Sequence, residues 1–206
     1  MFRVLLFASL AVAFASCNSA TVESTWTNPK LRETRITKVV VFGIAKNPGA
    51  RIEFEEALAR SLKGANLNVV PGYDFVPFDE KPGREVIIER IKAAGADGAL
   101  VSRVVNIHID DSKGPQWVGG AYVPAGGWYG YYTTYAYVPV SRVSEGETSF
   151  DVETVLYLLE DEKPMWAARS TSKEQSPKKL AAAIRDAVID AFKARGVATP
   201  APVPGK

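Results

Sequence analysis

Cysteine and histidine are almost missing from this chain. Its 206 residues hold one of each, Cys17 and His108, and only two methionines. A single cysteine cannot close an internal disulfide, so any core must be held by burial alone. A single histidine excludes every site that needs two, including zinc sites of H-E-x-x-H spacing. With Cys17 close to the N-terminus, the body has no Cys–His pair for nucleophilic catalysis. G-x-S-x-G and G-x-x-x-x-G-K motifs are absent as well. Neither charge sign dominates: 25 basic residues stand against 23 acidic ones, a net charge of +2. Such a balance leaves no electrostatic footprint for nucleic acid. No apolar run reaches the roughly 20 residues that span a bilayer, and no fixed-period repeat is present. These gaps predict no metal, no cofactor and no enzyme.

What is present is otherwise ordinary: 47% apolar and 23% charged residues, the balance of a globular domain. The N-terminus departs from that average. Met1-Phe2-Arg3 is followed by twelve residues, Val4 to Ala15, with Ser9 as their one polar member. The run is too short to cross a membrane and fits the apolar region of a secretory signal. Phe14-Ala15-Ser16-Cys17 resembles the lipobox of bacterial lipoproteins, with Phe14 where an aliphatic residue is usual. The resemblance implies diacylglyceryl transfer to the Cys17 sulfur and cleavage before it. The alternative is cleavage after Ala15, leaving Cys17 as a free thiol. Lipidation is favoured, because the sole cysteine lies where lipidation needs it and a free thiol is a liability outside the cell. Asn18, rather than Asp, follows the cysteine, which by resemblance points to the outer membrane.

Periodicity divides the remainder. Residues 1–16 read as the signal and 17–34 as a lipidated tether leading into an edge segment. An α/β domain is expected over 35–197 and a disordered, proline-rich tail over 198–206. Ile36 to Ala45 is a β-branched strand run. Arg51 to Lys63 is a helix with Phe54, Leu58 and Leu62 on one face, and Gly64 is placed for a left-handed cap. Leu67 to Val70 is a short strand. Gly83 to Ala94 is a helix stopped by Gly95. Gly98 to Asp110 is a long strand that alternates from Arg103 onward, one face buried and one wetter. Residues 147–160 and 165–171 form a strand pair. Ser176-Pro177 opens a last helix with a Leu180, Ile184, Val188 and Phe192 stripe. The expectation is an α/β fold with a single mixed sheet. Its order is β-α-β-α-β, a long Gly/Tyr-rich insertion over 112–146, then β-β-α, with the helices on one face.

Three groups of residues carry the candidate chemistry. The insertion holds six of the eight tyrosines and seven glycines. Trp117, Tyr122, Trp128, Tyr129, Tyr131, Tyr132, Tyr135 and Tyr137 could form an adaptable contact surface, since these rings give large contact area at low entropic cost. Packing of the same rings over the sheet is the competing reading. His108 and Asp110, two apart on a strand, point the same way and could share a ligand. Solvated side chains at a strand end explain them as well. Glu53, Glu55 and Glu56 beside Arg51 and Arg60 read as paired charges on an exposed helix face.

Taken together, Arg51 to Glu55, Gly95-Ala96-Asp97-Gly98, the Gly/Tyr-rich insertion, Val152 to Tyr157 and Trp166 resemble bacterial lipoproteins of unknown function that share a small α/β domain. The strand order is similar to periplasmic domains of the curli-secretion lipoprotein, of penicillin-binding-protein activators and of the N-terminal part of the Tol–Pal translocation protein. The resemblance implies a lipid-anchored envelope protein facing the periplasm, with a protein partner or self-association as its role. The alternative is a small-ligand or glycan-binding receptor, or a hydrolase, using His108, Asp110 and the aromatic loop.

Overall fold

The computed structural model describes residues 20–45, 47–65, 67–80, 82–111, 114–118, 147–173 and 176–193. The strands are β1 (Ala20–Thr27), β2 (Val39–Ile44), β3 (Val69–Pro71), β4 (Gly98–Asp111), β5 (Gly114–Val118), β6 (Glu147–Leu158) and β7 (Pro164–Ser172). The helices are α1 (Pro48–Gly64), α2 (Arg84–Ala93) and α3 (Pro177–Lys193). Short 3-10 turns sit at Pro29–Arg32 and Gly72–Asp74.

Local chemistry explains the element ends. Asn47 caps α1 by accepting the Ala50 N–H on its side chain, and Pro48 occupies the first turn, where its missing N–H costs nothing. Gly64 does not form the expected left-handed cap. The helix runs through it, and the Ala65 N–H closes on the Leu62 and Lys63 carbonyls. Gly95 does take the left-handed conformation, at φ 74°, and ends α2 as its position predicts. Asp97 fixes the start of the parallel strands: its carboxylate accepts the Thr37 and Lys38 backbone N–H groups and the Thr37 hydroxyl.

The strands form one mixed sheet in the order β1-β7-β6-β4-β2-β3, with β5 paired to β4 off that path. β2, β3 and β4 run parallel, and β4-β6-β7-β1 alternate antiparallel. The α/β class with a single mixed sheet is thus as the sequence predicts. Two details differ. The sheet begins at Ala20, inside the segment read as a tether, because β1 pairs with β7 from Ala20↔Ser172 to Thr27↔Trp166. The insertion also starts with a strand: β5 pairs with β4 where β2 has already ended, from Ile107↔Val118 to Asp111↔Gly114. Pro115 is compatible with this strand, which pairs only with β4 among the described residues.

The expectation of helices on one face is corrected. α1 and α3 cover one face, where Phe54, Leu58, Leu62, Ile184, Val188 and Phe192 pack on Val39, Val41, Leu100, Leu156 and Trp166. α2 covers the other, where Ile87 and Ile91 pack with Val40, Phe42, Ala99, Val101, Val155 and Tyr157. Strand order gives the reason. The β2-α1-β3 crossover moves outward, and β3-α2-β4 returns past β2. Right-handed crossovers in opposite directions place their helices on opposite faces. The central strands are therefore buried on both sides. Arg103 and Val105, which share the face of β4 read as buried, are 3% and 4% exposed, and the side chains of Asn106, His108 and Asp110, read as the wetter face, lie outside the described residues. β4 bulges between Val104 and Asn106.

Truncating either face should cost a similar amount. Leu58→Ala and Ile91→Ala should each destabilise the domain by about 2–5 kcal/mol in urea unfolding. A near-neutral Ile91→Ala would contradict a second buried face.

Candidate functional site

Open α/β sheets bind ligands outside the carboxyl ends of their parallel strands. At that end of this sheet lies a cleft of about 160 Å³. Gly43, Ser102, Val104 and Val152 contribute from the strands, Ala50, Arg51 and Phe54 from the first turns of α1, and Pro177 and Leu180 from the start of α3. Both helices bring their amino ends here for one topological reason. β7 is antiparallel to β6, which is antiparallel to β4, so β7 runs the same way as β2. The helix that follows each strand then returns in the same direction, and α1 lies against α3.

The strongest polar feature at the cleft is a buried ion pair. Glu55 has no exposed surface and Arg51 is 5% exposed. Arg51 Nε donates to Glu55 Oε1 at 2.8 Å. The same oxygen accepts the Gly43 N–H at 3.0 Å, and Oε2 accepts the Tyr73 N–H at 2.7 Å. β3 is the reason these N–H groups need a side chain. It ends at Pro71, opposite Val41, so the next N–H of β2 on that flank, Gly43, has no strand partner. The Glu55 carboxylate supplies one. The close approach also requires a glycine: a Cβ on residue 43 would lie 2.7 Å from the Phe54 ring.

Burial pushes the Glu55 carboxyl above its ordinary value of 4.5, against the opposing pull of Arg51 and of the Gly43 and Tyr73 N–H groups. Nearby, Tyr73 donates its hydroxyl to Glu56 Oε1 at 2.9 Å, and burial together with that carboxylate pushes the phenol up to about 12. Ser102 and Thr154, directly opposite on β4 and β6, share a buried hydroxyl–hydroxyl bond at 3.0 Å. Arg103 stands opposite Glu153, with Nη2 3.3 Å from Oε2. Burial, and then the Glu153 charge, raise the phenol of Tyr157, which the charge of Arg103 opposes.

The reading of the α1 charges as an exposed set is corrected for Arg51 and Glu55. It holds for Arg60 and Glu56, an exposed pair 3.6 Å apart. The sequence did contain a signal. Residues 51, 54, 55, 58, 59 and 62 are the buried positions of α1, a regular 3-1-3-1-3 stripe, and two of its six members are charged.

The other predicted site residues are less informative. His108 lies in β4 opposite Trp117 of β5 and Ser149 of β6, and Asp110 lies opposite Pro115 and Glu147. The side chains of His108, Asp110 and Trp117 lie outside the described set. So do Cys17, Tyr122, Trp128, Tyr129, Tyr131, Tyr132, Tyr135 and Tyr137 altogether. Among the described residues, no group of three or more His, Cys, Asp or Glu could hold a metal ion. No described helix is long and apolar enough to cross a membrane.

These features define a single-sheet α/β domain with a helix-flanked cleft at the carboxyl end of its parallel strands. Among solved structures the chain is similar to PelC dodecamers from Paraburkholderia phytofirmans. For a point variant in one crystal form the TM-score is 0.44 at 15% identity, covering 81% of this chain and 96% of that one. For another crystal form it is 0.44 at 16% identity, covering 82% and 95%. Likeness of this degree says nothing about a shared role. No protein-family model matches the sequence, and no curated protein matches it.

Arg51→Met should destabilise the domain by about 3–5 kcal/mol near neutral pH, because a buried carboxylate loses its charge partner. The cost should be smaller near pH 5. An acid whose folded pKa is raised binds its proton more tightly in the native state. Its stability contribution therefore falls as pH rises from 4.5 through the folded value. Removing Arg51 raises that folded value further, so the penalty grows with pH. Urea titrations of both proteins at the two pH values check this. A penalty that is the same at both would contradict it.

Proposed function

We propose that this is a lipid-anchored envelope protein, held to the membrane through Cys17, whose α/β domain binds a protein partner or a second copy of itself and performs no chemistry. The observation that carries this reading is the way the chain enters the fold. β1 begins at Ala20, three residues after Cys17, and it is the edge strand of the sheet among the described residues. Three extended residues reach only about 10 Å, so an acylated Cys17 would hold the edge strand against the bilayer surface.

That strand has the character of a docking edge. Among the described residues β1 pairs on one flank only, with β7. Its eight residues, ATVESTWT, include one charge and no proline, and Trp26 is 49% exposed. Exposed edges with few charges and no proline can accept added strands, by main-chain hydrogen bonds for affinity and side-chain contacts for specificity. A break in the β1–β7 register between Val22 and Ser24 limits how far an added strand could follow the edge. The missing nucleophile–base motifs of the sequence agree with a binding role. The resemblance to envelope lipoproteins supports the outer membrane, facing the periplasm, as its place.

Two substitutions separate anchor from partner. Cys17→Ser should move the protein from the membrane fraction to the soluble fraction or leave its signal uncleaved. Mass spectrometry of an unmodified mature N-terminus in the wild type would overturn lipidation. Thr25→Pro with Trp26→Lys, in a protein still attached to the membrane, should abolish cross-linked species that the wild type forms in the envelope. Identical cross-linking would remove β1 as the contact.

A further inference from the structure

We propose that the cleft between the amino ends of α1 and α3 binds the phosphate group of a small ligand with an apolar body. Two observations meet there. The first is the pair of helix ends. A helix amino terminus carries partial positive charge and normally attracts acidic residues into its first turn. Neither α1 nor α3 has an acidic residue in that turn, and α3 has Lys178 and Lys179 there instead. The second is Arg51, which lines the cleft and is 5% exposed. Its Nε is occupied by Glu55, while its buried Nη2 has no hydrogen-bond partner among the described residues. An arginine cannot shed its proton, so a buried guanidinium donor without an acceptor is costly. An oxyanion supplies that acceptor and meets the two helix dipoles at once.

The cleft volume is several times the roughly 30 Å³ share of one water, room for a phosphate and a few carbons. Most of its lining is apolar: Phe54, Val104, Val152, Pro177 and Leu180. Glu55 does not compete for the site, since both of its oxygens are held by Gly43, Tyr73 and Arg51. Register places Ala20 beside Ser172, the last residue of β7 before α3, so the cleft and the start of β1 share one end of the sheet. A lipid headgroup and a soluble phosphate ester offer the same chemistry. The lipid-anchor reading bears on which of them reaches the cleft and not on the site itself.

Isothermal titration of the full detergent-solubilised chain with inorganic phosphate, and separately with dihexanoyl phosphatidylglycerol, tests the inference. Leu180→Trp fills the cleft and leaves Arg51 and Glu55 untouched. Arg51→Lys keeps the charge and removes Nη2. The wild type should bind at least one probe saturably, one to one, and each variant with native circular dichroism should bind it at least about tenfold more weakly. Binding of phosphatidylglycerol without phosphate assigns the headgroup, and binding of phosphate assigns a soluble ester. No saturable binding of either probe up to about 10 mM, a concentration at which even weak millimolar sites fill, would overturn the proposal. Unchanged affinity in natively folded Leu180→Trp would overturn it too. Neither result would touch the membrane anchor, which fractionation of Cys17→Ser reads separately.

Discussion

Glu55 is the point on which this end of the structure depends. It is a carboxylate with no access to water, and three donors from three parts of the chain converge on it: Gly43 of β2, Tyr73 of the turn after β3, and Arg51 one helical turn upstream. A sheet whose third strand is only three residues long leaves β2 with an unmet N–H. Left unsatisfied in the interior, such a group costs on the order of 1–3 kcal/mol. The carboxylate meets that need and pins α1 against β2, and the pinning brings Phe54 down onto Gly43. Arg51 then has to be buried as well, because the carboxylate needs a counter-charge. The cleft, the close helix–strand contact and the buried arginine thus follow from one truncated strand.

The sheet topology decides what else lies at that end. Because β2, β4 and β7 all run toward it, the helices that follow β2 and β7 return with their amino ends there. β1, antiparallel to β7, starts there. The start of β1 and the cleft therefore lie at one end of the sheet without any special sequence arranging it. Direction of travel along the sheet similarly settles which face each helix takes. α1 moves outward and α2 moves back, so one chirality rule puts them on opposite faces.

Much of this was legible in the residues. The β-branched run before Lys46, the Phe54-Leu58-Leu62 and Ile184-Val188-Phe192 stripes, and Gly95 as a stop all correspond to the elements observed. Period and propensity are local properties, and each of these elements obeys them. Three features were not legible for a common reason. Alternation along β4 could not tell one covered face from two, because the face each helix covers follows from strand order and crossover direction, not from the strand's own residues. ATVESTWT has too few apolar residues to stand out, and it becomes a strand through its pairing with β7. Arg51 and Glu55 looked like an exposed i,i+4 pair because charged residues on helices are usually solvated. Their place on the apolar stripe of α1 was the contrary signal, and only the truncated β3 explains why the stripe tolerates them.

By itself the sequence determined the class of the domain and where its helices and most strands lie. One cysteine and one histidine also exclude an internal disulfide and any site that needs two histidines. It also placed a signal-like run and a lipobox-like cysteine at the N-terminus, features read by linear pattern and needing no fold. Tertiary structure alone decided that the sheet is covered on both faces, that β1 is its edge and that an ion pair lies buried at the head of α1. It also decided that two helix amino ends share a cleft. Each of these depends on which segments become neighbours, and strand order, which no local pattern encodes, sets that.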